Sequence, residues 1–335
     1  MNTDSSVALG RFRRVTTLGT IGPSPPLVSV IIPSFNRLQF LPAAIGSVFN
    51  QTLTDWELLI ADDGSDERTR AYLRTLSRLP KVMVMWMPHT GSPATVRNAA
   101  LHNASGEYIA FLDSDDIWAV RKLELQVAQL RQRTECQWSY TAFTNINGQG
   151  DTLPGESERR WAPCEGEIFD EILRGEVSIR TPSVLVARQL LVDSGGFDES
   201  MRSAEDYDLW LRLALRSDIA LIDEPLVRIR SHDENHSADW ASAYLGQDHT
   251  FKKLQSCVDR RRRSLLRRAR TRNALKLSWQ YAVFRDPTGS LRVLLQSFPF
   301  SWPYLEWWGK ALRIGLRALI PKTLLAFAHH IQGRA

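Results

Sequence analysis

Residues 106–116 read GEYIAFLDSDD, an apolar run followed at once by three aspartates and a serine. The run Tyr108–Leu112 is short and bounded by turn formers, which is typical of a buried strand. Two similar runs come earlier, Val28–Ile32 and Trp56–Ala61, and a fourth strand is predicted over residues 81–87. Helical patterns separate these strands. Alternating strands and helices with short connections predict an α/β fold, a parallel sheet covered by helices on both faces.

The helices between these strands are predicted at about residues 38–50, 66–78 and 93–104, from apolar residues that recur at helical spacing. In a parallel sheet of this kind, ligands bind beyond the carboxyl ends of the strands. The residues that follow each strand are therefore the first candidates for a functional site.

Composition and charge divide the 335 residues into parts. With 43% hydrophobic and 24% charged residues the chain is typical of a folded protein, which excludes disorder throughout. The net charge of +5 conceals an asymmetry, because residues 252–335 hold 18 Lys and Arg but only three acidic residues, and the preceding residues therefore carry a net −10. We expect a flexible lead-in over 1–26, a catalytic domain over 27–245 and a basic helical extension over 246–335.

Localisation is predicted from what the sequence lacks. Residues 1–26 are polar and Gly/Pro/Ser-rich, without the apolar core of about 7–15 residues that a secretory signal needs. Three scattered cysteines favour a reducing compartment. No apolar stretch is long enough for a spanning helix. We expect a cytoplasmic protein attached peripherally to the inner face of a membrane.

Polar clusters follow three of the strands: PSFNR at 33–37, DDGSD at 62–66 and DSDD at 113–116. Taken alone, each has the composition of an ordinary turn. Together they are expected to converge on one crevice, because the carboxyl ends of parallel strands share an edge of the sheet. No P-loop or GxGxxG sequence follows any strand, which excludes those nucleotide sites.

The cluster at 113–116 has the sharpest chemistry. Asp113 and Asp115 stand at alternating positions of a tight turn, where both carboxylates can face one Mg²⁺ or Mn²⁺ ion. A cation held there would neutralise a departing diphosphate. Asp116 is interpreted as a helix cap for the segment that starts near Trp118.

Five segments, in this order, resemble the motifs of family 2 glycosyltransferases of the bacterial polysaccharide-biosynthesis type: residues 28–37, 61–65, 97–98, 106–116 and 205–210. The resemblance covers about residues 27–237. It implies a GT-A fold, a Rossmann-like, mostly parallel sheet flanked by helices. It also implies inverting transfer of a sugar from a nucleotide diphosphate sugar, with UDP as the expected nucleotide, to a hydroxyl of a glycan or lipid-linked acceptor in cell-surface polysaccharide synthesis.

The resemblance also implies a donor site. Pro33 and Phe35 would line the pocket for the base, Asp63 would hydrogen-bond the base, and Asp62 would lie beside it. An aromatic face can stack on a base and a carboxylate can accept from an imide N–H, so the chemistry agrees. Arg97 matches the arginine of the family that lies near the nucleotide; a surface ion pair is the alternative for this residue.

For the metal, expected to be Mn²⁺ or Mg²⁺, the resemblance implies a direct contact from Asp115 and contact of Asp113 with the metal or the ribose. His232 would reach the metal or the diphosphate through a ring nitrogen. The alternative for His232 is an ordinary hydrogen-bonded loop residue.

Inversion in one displacement needs a carboxylate that takes the proton of the acceptor hydroxyl. Asp206 matches the family's base, and Glu205 is the second candidate. The alternative is that two acids only favour the start of a helix. Asp208 is interpreted as structural. Two other functions remain open, a nucleotidyltransferase and a catalytically inactive membrane-associated adaptor.

The basic extension contains a predicted arginine helix around residues 260–272 and a second helix near the end of the chain. On the second helix, one face carries Lys310, Arg313 and Arg317, and the opposite face carries Trp308, Leu312 and Leu319. This pattern predicts a helix at a membrane interface, so the expected partner of 252–335 is an anionic membrane surface. Nucleic acid is not expected, and packing of the extension on the acidic domain is the alternative.

Overall fold

The computed structural model describes residues 16–19, 25–153, 164–231, 240–284 and 286–319, with side chains described except at 16–19, 240 and 318–319. The described residues fall into two compact units, one before residue 236 and one after it. Each unit has its own architecture, and the first contains every strand of the described chain.

The described residues of the first unit form one nine-stranded sheet. Its strands are β1 (Thr16–Gly19), β2 (Val28–Ser34), β3 (Trp56–Asp62), β4 (Val82–Trp86), β5 (Tyr108–Phe111), β6 (Ile117–Trp118), β7 (Cys136–Ile146), β8 (Leu185–Ala187) and β9 (Asp218–Arg230).

The spatial order of the strands is β1-β4-β3-β2-β5-β8-β7-β9-β6. The block β4-β3-β2-β5 is parallel throughout, which confirms the prediction from the first 120 residues. β7 and β9 also pair in parallel, whereas β1, β8 and β6 pair antiparallel with their neighbours. The sheet is therefore mixed. The predicted site lies at the carboxyl ends of its parallel block.

Helices of the first unit lie between the strands: α1 (Leu41–Phe49), α2 (Glu67–Leu76), α3 (Pro93–Asn103), α4 (Lys122–Gln132), α5 (Phe169–Arg174), α6 (Arg188–Asp193) and α7 (Glu205–Ala214). The first three lie inside the predicted ranges. Asp66 caps α2 by accepting from the Thr69 N–H at 2.8 Å, and Ser92 caps α3 by accepting from Thr95.

Both faces of the parallel block are buried. Val30 and Leu58 point to a core that includes α1, α2 and α4. The alternate residues Ile31 and Leu59 are also fully buried, and α3 packs against β2 and β3. Continuous apolar strands are required for this arrangement, since both sets of side chains leave water.

The strand β1 lies inside the predicted lead-in. It pairs antiparallel with β4, from Thr16 opposite Trp86 to Gly19 opposite Met83. Four residues of the segment expected to be flexible are therefore part of the sheet. The polar composition of this segment did not indicate a strand. An edge strand forms by pairing with its neighbour and does not need an apolar sequence. β2 extends to Ser34, past Ile32, the last residue of the predicted strand.

One glycine fixes how β5 approaches β2. A Cβ on Gly106 would lie 2.5 Å from the Ser29 backbone nitrogen, so no side chain fits at this position. The Gly106 N–H donates to Ser29 Oγ at 2.8 Å, and Ser29 Oγ donates to the buried Glu57 carboxylate. The first residues of β5 and β2 therefore lie close together, which aligns the two strands. This alignment also positions the acidic turn that follows β5.

The second unit is helical, as predicted for the extension. Its helices are α8 (Trp240–Leu254), α9 (Arg260–Val283), α10 (Pro287–Ser301) and α11 (Leu305–Leu319). The unit starts ahead of residue 246, the predicted boundary, because α8 begins at Trp240. Its small core includes Leu294, Trp307 and Ile314. Among the helices that the structure describes in either unit, none has the length and apolarity to cross a membrane.

Candidate active site

The loops after β2 and β3 are joined by backbone and side-chain hydrogen bonds. The Asp63 N–H donates to the Ser34 carbonyl at 2.8 Å, and the Asn36 N–H donates to Ser65 Oγ at 2.9 Å. Asn36 adopts a left-handed backbone (φ 52°), and its Oδ1 accepts from the Asp66 N–H at 2.7 Å. The first two of the three predicted clusters therefore lie together.

An aromatic pair stands beside these loops. The rings of Phe35 and His89 are stacked, with centroids 4.1 Å apart and planes inclined by 22°. Phe35 remains 37% exposed, and Pro33 beside it in sequence is partly buried. His89 was missed in the sequence because the loop after β4, the fourth strand end of the parallel block, was not examined with the other three.

Asp63 positions the loop that carries His89. Its Oδ1 accepts from the Thr90 N–H and the Thr90 hydroxyl, both at 2.8 Å, and its Oδ2 accepts from the Gly91 N–H at 3.0 Å. The Asp63 carbonyl and carboxylate also lie 2.9 Å and 3.1 Å from Nδ1 of His89. Asp63 therefore fixes the loop after β4 against the loop after β3.

Asp62 is fully buried and accepts from the Ser65 N–H at 3.2 Å. Burial raises the pKa of Asp62, although hydrogen bonds from Ser65 oppose the effect. The carboxylate holds the turn after β3 from inside, so its contribution to a donor site is indirect.

Arg97, on α3, joins two parts of the site. Its Nη2 donates to Asp113 Oδ1 at 2.7 Å and its Nη1 donates to Glu205 Oε1 at 2.9 Å. The guanidinium also lies over the Phe197 ring, 5.4 Å from the centroid. Only 6% of Arg97 is exposed, so the surface ion pair weighed for this residue is excluded.

The charge of Arg97 is secured by these neighbours. Burial disfavours the charged form, but the carboxylates of Asp113 and Glu205 outweigh burial and raise the pKa of Arg97 above its usual value. A permanent cation therefore lies between the two carboxylates.

The acidic turn after β5 presents Asp113 and Asp115, both partly exposed. Asp116 is buried and accepts from the Arg230 N–H at 2.8 Å, so the prediction that it caps a helix is wrong. α4 begins only at Lys122, with no side-chain cap. Burial, together with the nearby Asp113 and Asp115 carboxylates, raises the pKa of Asp116.

Arg230, at the end of β9, fixes the backbone of this turn. Its Nε donates to the Asp115 carbonyl at 2.9 Å, and its Nη1 donates to the carbonyls of Asn147 and Gly148. The residue is 6% exposed. Sequence reasoning gave it no role, since the partner of a strand residue 115 positions away is not visible in the sequence.

The carboxylate oxygens of the acidic turn are ligands that suit a hard divalent cation. Mg²⁺ is commonly bound by one or two carboxylates together with substrate phosphates. Asp115 is partly exposed, and Asp113 accepts from Arg97 through one of its two carboxylate oxygens. Within the described ranges no three His, Cys, Asp or Glu side chains cluster in a way that could hold a metal, and His232 lies outside those ranges.

Asp206 lies in the first turn of α7, directly after Glu205. Its Oδ2 accepts from the Thr181 hydroxyl at 3.1 Å and its Oδ1 accepts from the Tyr207 N–H at 2.7 Å. Burial and the adjacent Glu205 charge raise the pKa of Asp206 to about 6, against the opposing effect of Arg97. An ionised carboxylate with this pKa is a competent base near neutral pH.

The start of α7 is strained. Ala204, which precedes Glu205, has a left-handed backbone with φ 60°. For a residue with a Cβ this conformation is unfavourable and persists only where the surroundings impose it. Here it sets the direction in which α7 presents Glu205 and Asp206.

Buried side chains anchor the segment that contains Thr181. The Trp118 Nε1–H donates to the Pro182 carbonyl at 2.8 Å, and Gln126 Nε2 donates to the Ser183 carbonyl at 2.9 Å. These bonds anchor the short 3-10 helix Thr181–Ser183. Sequence reasoning gave Thr181 no role.

Two further contacts seat α7 and the loop before it. Arg212 donates to Asp208 Oδ2 at 2.8 Å, and Asp208 is fully buried, as expected for a structural residue. Asn98 Nδ2 donates to the Phe197 carbonyl at 2.8 Å, and a Cβ on Gly196 (φ 64°) would clash with Asn98 Oδ1. α3 therefore contacts the acidic pair through Arg97 and the preceding loop through Asn98.

A model of the family "Glycosyl transferase family 2" matches residues 29–193. An uncharacterized glycosyltransferase of Rickettsia felis is 34% identical over 203 residues, which is 61% of this chain and 33% of the relative. The chain thus spans about a third of the length of that relative, and similar shares of two from Rickettsia bellii and Rickettsia conorii.

Two relatives are matched over most of their length. The putative teichuronic acid biosynthesis glycosyltransferase TuaG of Bacillus subtilis is 33% identical over 56% of this chain and 72% of its own length. WfgD of Escherichia coli, a UDP-Glc:alpha-D-GlcNAc-diphosphoundecaprenol beta-1,3-glucosyltransferase, is 32% identical over 59% of this chain and 73% of its own length.

Solved structures show the same fold. S. aureus TarS 1–349 in complex with UDP-GlcNAc superposes with a TM-score of 0.64 at 17% identity, covering 82% of this chain and 81% of TarS. Mannosyltransferase PcManGT from Pyrobaculum calidifontis, in complex with GDP-Man and Mn²⁺, gives 0.58 at 15% identity, covering 88% and 86%.

Proposed function

This chain belongs to glycosyl transferase family 2, and we propose that it transfers a sugar from a nucleotide diphosphate sugar to an acceptor hydroxyl, with inversion at the anomeric carbon. The observation that carries the proposal is the bridge made by Arg97. One buried guanidinium binds Asp113, from the predicted metal turn, and Glu205, the neighbour of the predicted base. The donor-side and acceptor-side carboxylates thus belong to one connected site.

Asp206 is the proposed base. An acceptor hydroxyl that attacks the anomeric carbon must lose its proton, and an ionised Asp206 would take it. Thr181 and the Tyr207 N–H hold the two carboxylate oxygens, which fixes the direction from which the hydroxyl approaches. Glu205 is engaged by Arg97 and acts as a positioning residue in this scheme.

The nucleotide would bind beside the Phe35–His89 pair. The exposed ring of Phe35 offers a face for stacking, and Asp63 orders the loop that holds His89 against it. Pro33 would complete the wall. Similarity supports a UDP-sugar as the proposed donor: WfgD is named for UDP-Glc, and TarS was solved with UDP-GlcNAc.

Asp115 and the second carboxylate oxygen of Asp113 would hold a Mg²⁺ or Mn²⁺ ion, and His232 stays a predicted third ligand. The ion would offset the negative charge that develops on the leaving diphosphate. The Mn²⁺ bound in the PcManGT structure supports this choice of cation. Arg230 keeps the turn in shape through its bond to the Asp115 carbonyl.

The proposed acceptor is a glycan or lipid-linked glycan in cell-surface polysaccharide synthesis. Among the relatives, WfgD is named for an acceptor on diphosphoundecaprenol and TuaG for teichuronic acid biosynthesis. A lipid-linked acceptor requires the enzyme to work at a membrane, and the net +15 of residues 252–335 favours attachment to an anionic surface.

A thermal-shift panel tests the donor assignment. The purified chain is scanned with UDP-, GDP- and dTDP-sugars, each with Mn²⁺ and with a chelator, and with nucleoside triphosphates. Stabilisation by a nucleotide sugar that depends on the cation is the expected result. Stabilisation by triphosphates alone would favour a nucleotidyltransferase, and no stabilisation by any nucleotide would favour the inactive adaptor.

A further inference from the structure

Helix α11 carries a row of apolar side chains on its solvent side. Leu305, Trp308, Leu312 and Leu316 are 89%, 50%, 66% and 54% exposed. They recur at intervals of three and four residues, so they form one stripe along the helix. Four large apolar residues side by side in water are a costly arrangement for an isolated surface.

Helix α10 carries a second row. Leu295, Phe298 and Trp302 are also exposed, Leu295 by 75%, and their spacing places them on one side of the helix. This row and the row on α11 meet. The Trp308 Nε1–H donates to the Trp302 carbonyl at 3.0 Å, and the rings of Phe298 and Trp308 are in edge-to-face contact at 5.9 Å. We call the two rows together the α10–α11 apolar face.

The fold of the second unit does not require this face. Its core is filled from other sides of the same helices: Trp307 and Ile314 lie opposite the row on α11, Leu294 lies on the adjacent side of α10, and all three are at most 8% exposed. The helices therefore have apolar residues on two sides, and only one side is buried within the unit. The apolar side that is not buried within the unit can be buried against another surface.

The charges around the face have one dominant sign. Arg292 and Arg313 are exposed, and at about 100° per residue each lies on the flank of its row, whereas Lys310 lies on the side of α11 away from Leu305 and Leu312. Of the three acidic residues after 251, Asp259 and Asp286 cap helices, and Glu306 lies 3.6 Å from Lys310. Arg292 and Arg313 therefore outnumber Glu306, the one acidic residue of α10 and α11.

Several cations of the extension are used within the second unit. Arg270 pairs with Asp248 at 2.7 Å and lies over the Phe300 ring, and Arg317 lies over the Trp279 ring. The predicted membrane helix thus has Trp308 and Leu312 exposed as expected, while Arg317 faces another helix. Since some of the cations face other helices of the unit, the charge of the extension does not identify a binding surface. The apolar rows on α10 and α11 do.

We propose that the α10–α11 apolar face inserts into the interfacial layer of an anionic lipid bilayer, with Arg292 and Arg313 against lipid phosphates. Leucine and tryptophan side chains enter the acyl boundary, and the flanking cations stay at headgroup level. The proposal deepens the membrane attachment in the proposed function and rests on it for the choice of a lipid surface. It needs neither donor nor acceptor for its test.

Vesicle flotation of the full chain tests it. The probes are vesicles of phosphatidylcholine alone and of phosphatidylcholine with phosphatidylglycerol. The key variant is Leu305→Gln/Leu312→Gln/Leu316→Gln, and its matched control is Leu245→Gln, since Leu245 is 60% exposed on α8. A charge variant, Arg292→Gln/Arg313→Gln, separates the two contributions.

The wild type is expected to float with the anionic vesicles. The triple variant is expected to lose at least tenfold in affinity, since each leucine contributes roughly a severalfold factor. The Leu245→Gln control keeps wild-type affinity, and the charge variant loses affinity for the anionic vesicles only.

Three results would overturn the proposal: no binding of the wild type to anionic vesicles, a triple variant that binds as the wild type does, or a wild-type dimer that the triple variant converts to monomer. The last would make a second copy of the chain the partner. The nucleotide-sugar thermal shift, measured on the same preparations, separates the two proposals. A donor shift without vesicle binding removes only the membrane face, and vesicle binding without a donor shift removes only the catalytic function.

Discussion

Nη1 of Arg97 donates a hydrogen bond to Oε1 of Glu205 at 2.9 Å, between residues 108 positions apart in the chain. The same guanidinium binds Asp113. The relationship makes α3 the element that connects the acidic turn after β5 to the first turn of α7. Catalysis in this account depends on that connection, because the metal side and the base side must keep a fixed separation.

Replacement of Arg97 by alanine would leave two carboxylates without their shared partner. We expect Arg97→Ala to lower the free energy of unfolding by about 3–5 kcal/mol, as for a buried ion pair that loses one member. Denaturant titration measures the change. The control is Arg74→Ala, which removes an exposed pair with Glu67 and is expected to leave the midpoint unchanged. Equal midpoints for both variants would show that Arg97 does not hold the site together.

Asp206 should make kcat/KM decline at acid pH, which gives the pH profile an acidic limb near pH 6. The base acts only when ionised, and its pKa is raised to about 6, so kcat/KM is expected to fall about tenfold per pH unit below that value. A pH profile of the transfer reaction measures the limb. A rate that stays flat from pH 7 to pH 5 would exclude Asp206 as the base.

The raised pKa of Asp206 has a cost in stability. The folded state binds this proton more tightly than the unfolded chain, whose value is about 3.8, so ionisation destabilises the fold as the pH rises from there to about 6. We therefore expect Asp206→Asn to be at least as stable as the wild type at pH 7. Thermal unfolding measures this, and a clear loss of stability in the variant would contradict the assigned direction.

Thr181 should tune the base. Its hydroxyl stabilises the ionised form of Asp206, so Thr181→Val is expected to move the acidic limb of kcat/KM to higher pH. Thr181→Ser keeps a hydroxyl and should retain the wild-type limb. If the two variants have the same profile, the hydrogen bond to Asp206 has no part in setting its pKa.

Phe35 should contribute to nucleotide affinity. Phe35→Ala removes the stacking face and is expected to weaken binding of UDP roughly tenfold, while Phe35→Tyr keeps it. Calorimetry with Mn²⁺ measures the affinities. The control is Phe49→Ala, since Phe49 has similar exposure (42%) at the end of α1. A Phe35→Ala variant that binds UDP as the wild type does would move the base pocket elsewhere.

Much of the fold was predictable because local pattern determines it. The strands β2, β3, β4 and β5 are short apolar runs, and the helices between them have apolar residues at helical spacing. The strand β1 was not predictable, because its four residues acquire their role only by pairing with β4. Asp116 was misinterpreted for a similar reason: its partner, the Arg230 N–H, comes from a strand more than a hundred residues later.

The candidate site was predictable as a set of acidic positions but not as a set of contacts. Residue type indicated Asp113 and Asp115, and the family resemblance implied Asp206, whereas the contacts of Arg97 depend on where α7 packs. Thr181 and His89 carry no signal of their own. The rule that led to the other clusters, inspection of every strand end, also applies to β4 and would have indicated His89.

The most direct test of the account is the rate of sugar transfer by the purified full chain, with the donor found in the thermal-shift panel, for wild type, Asp206→Asn, Asp115→Ala and Asp193→Asn. Asp193 is an exposed aspartate on α6 and serves as the control. The account predicts a loss of roughly a thousandfold for the first two variants, with an unchanged rate for Asp193→Asn. Wild-type rates in Asp206→Asn and Asp115→Ala would contradict it.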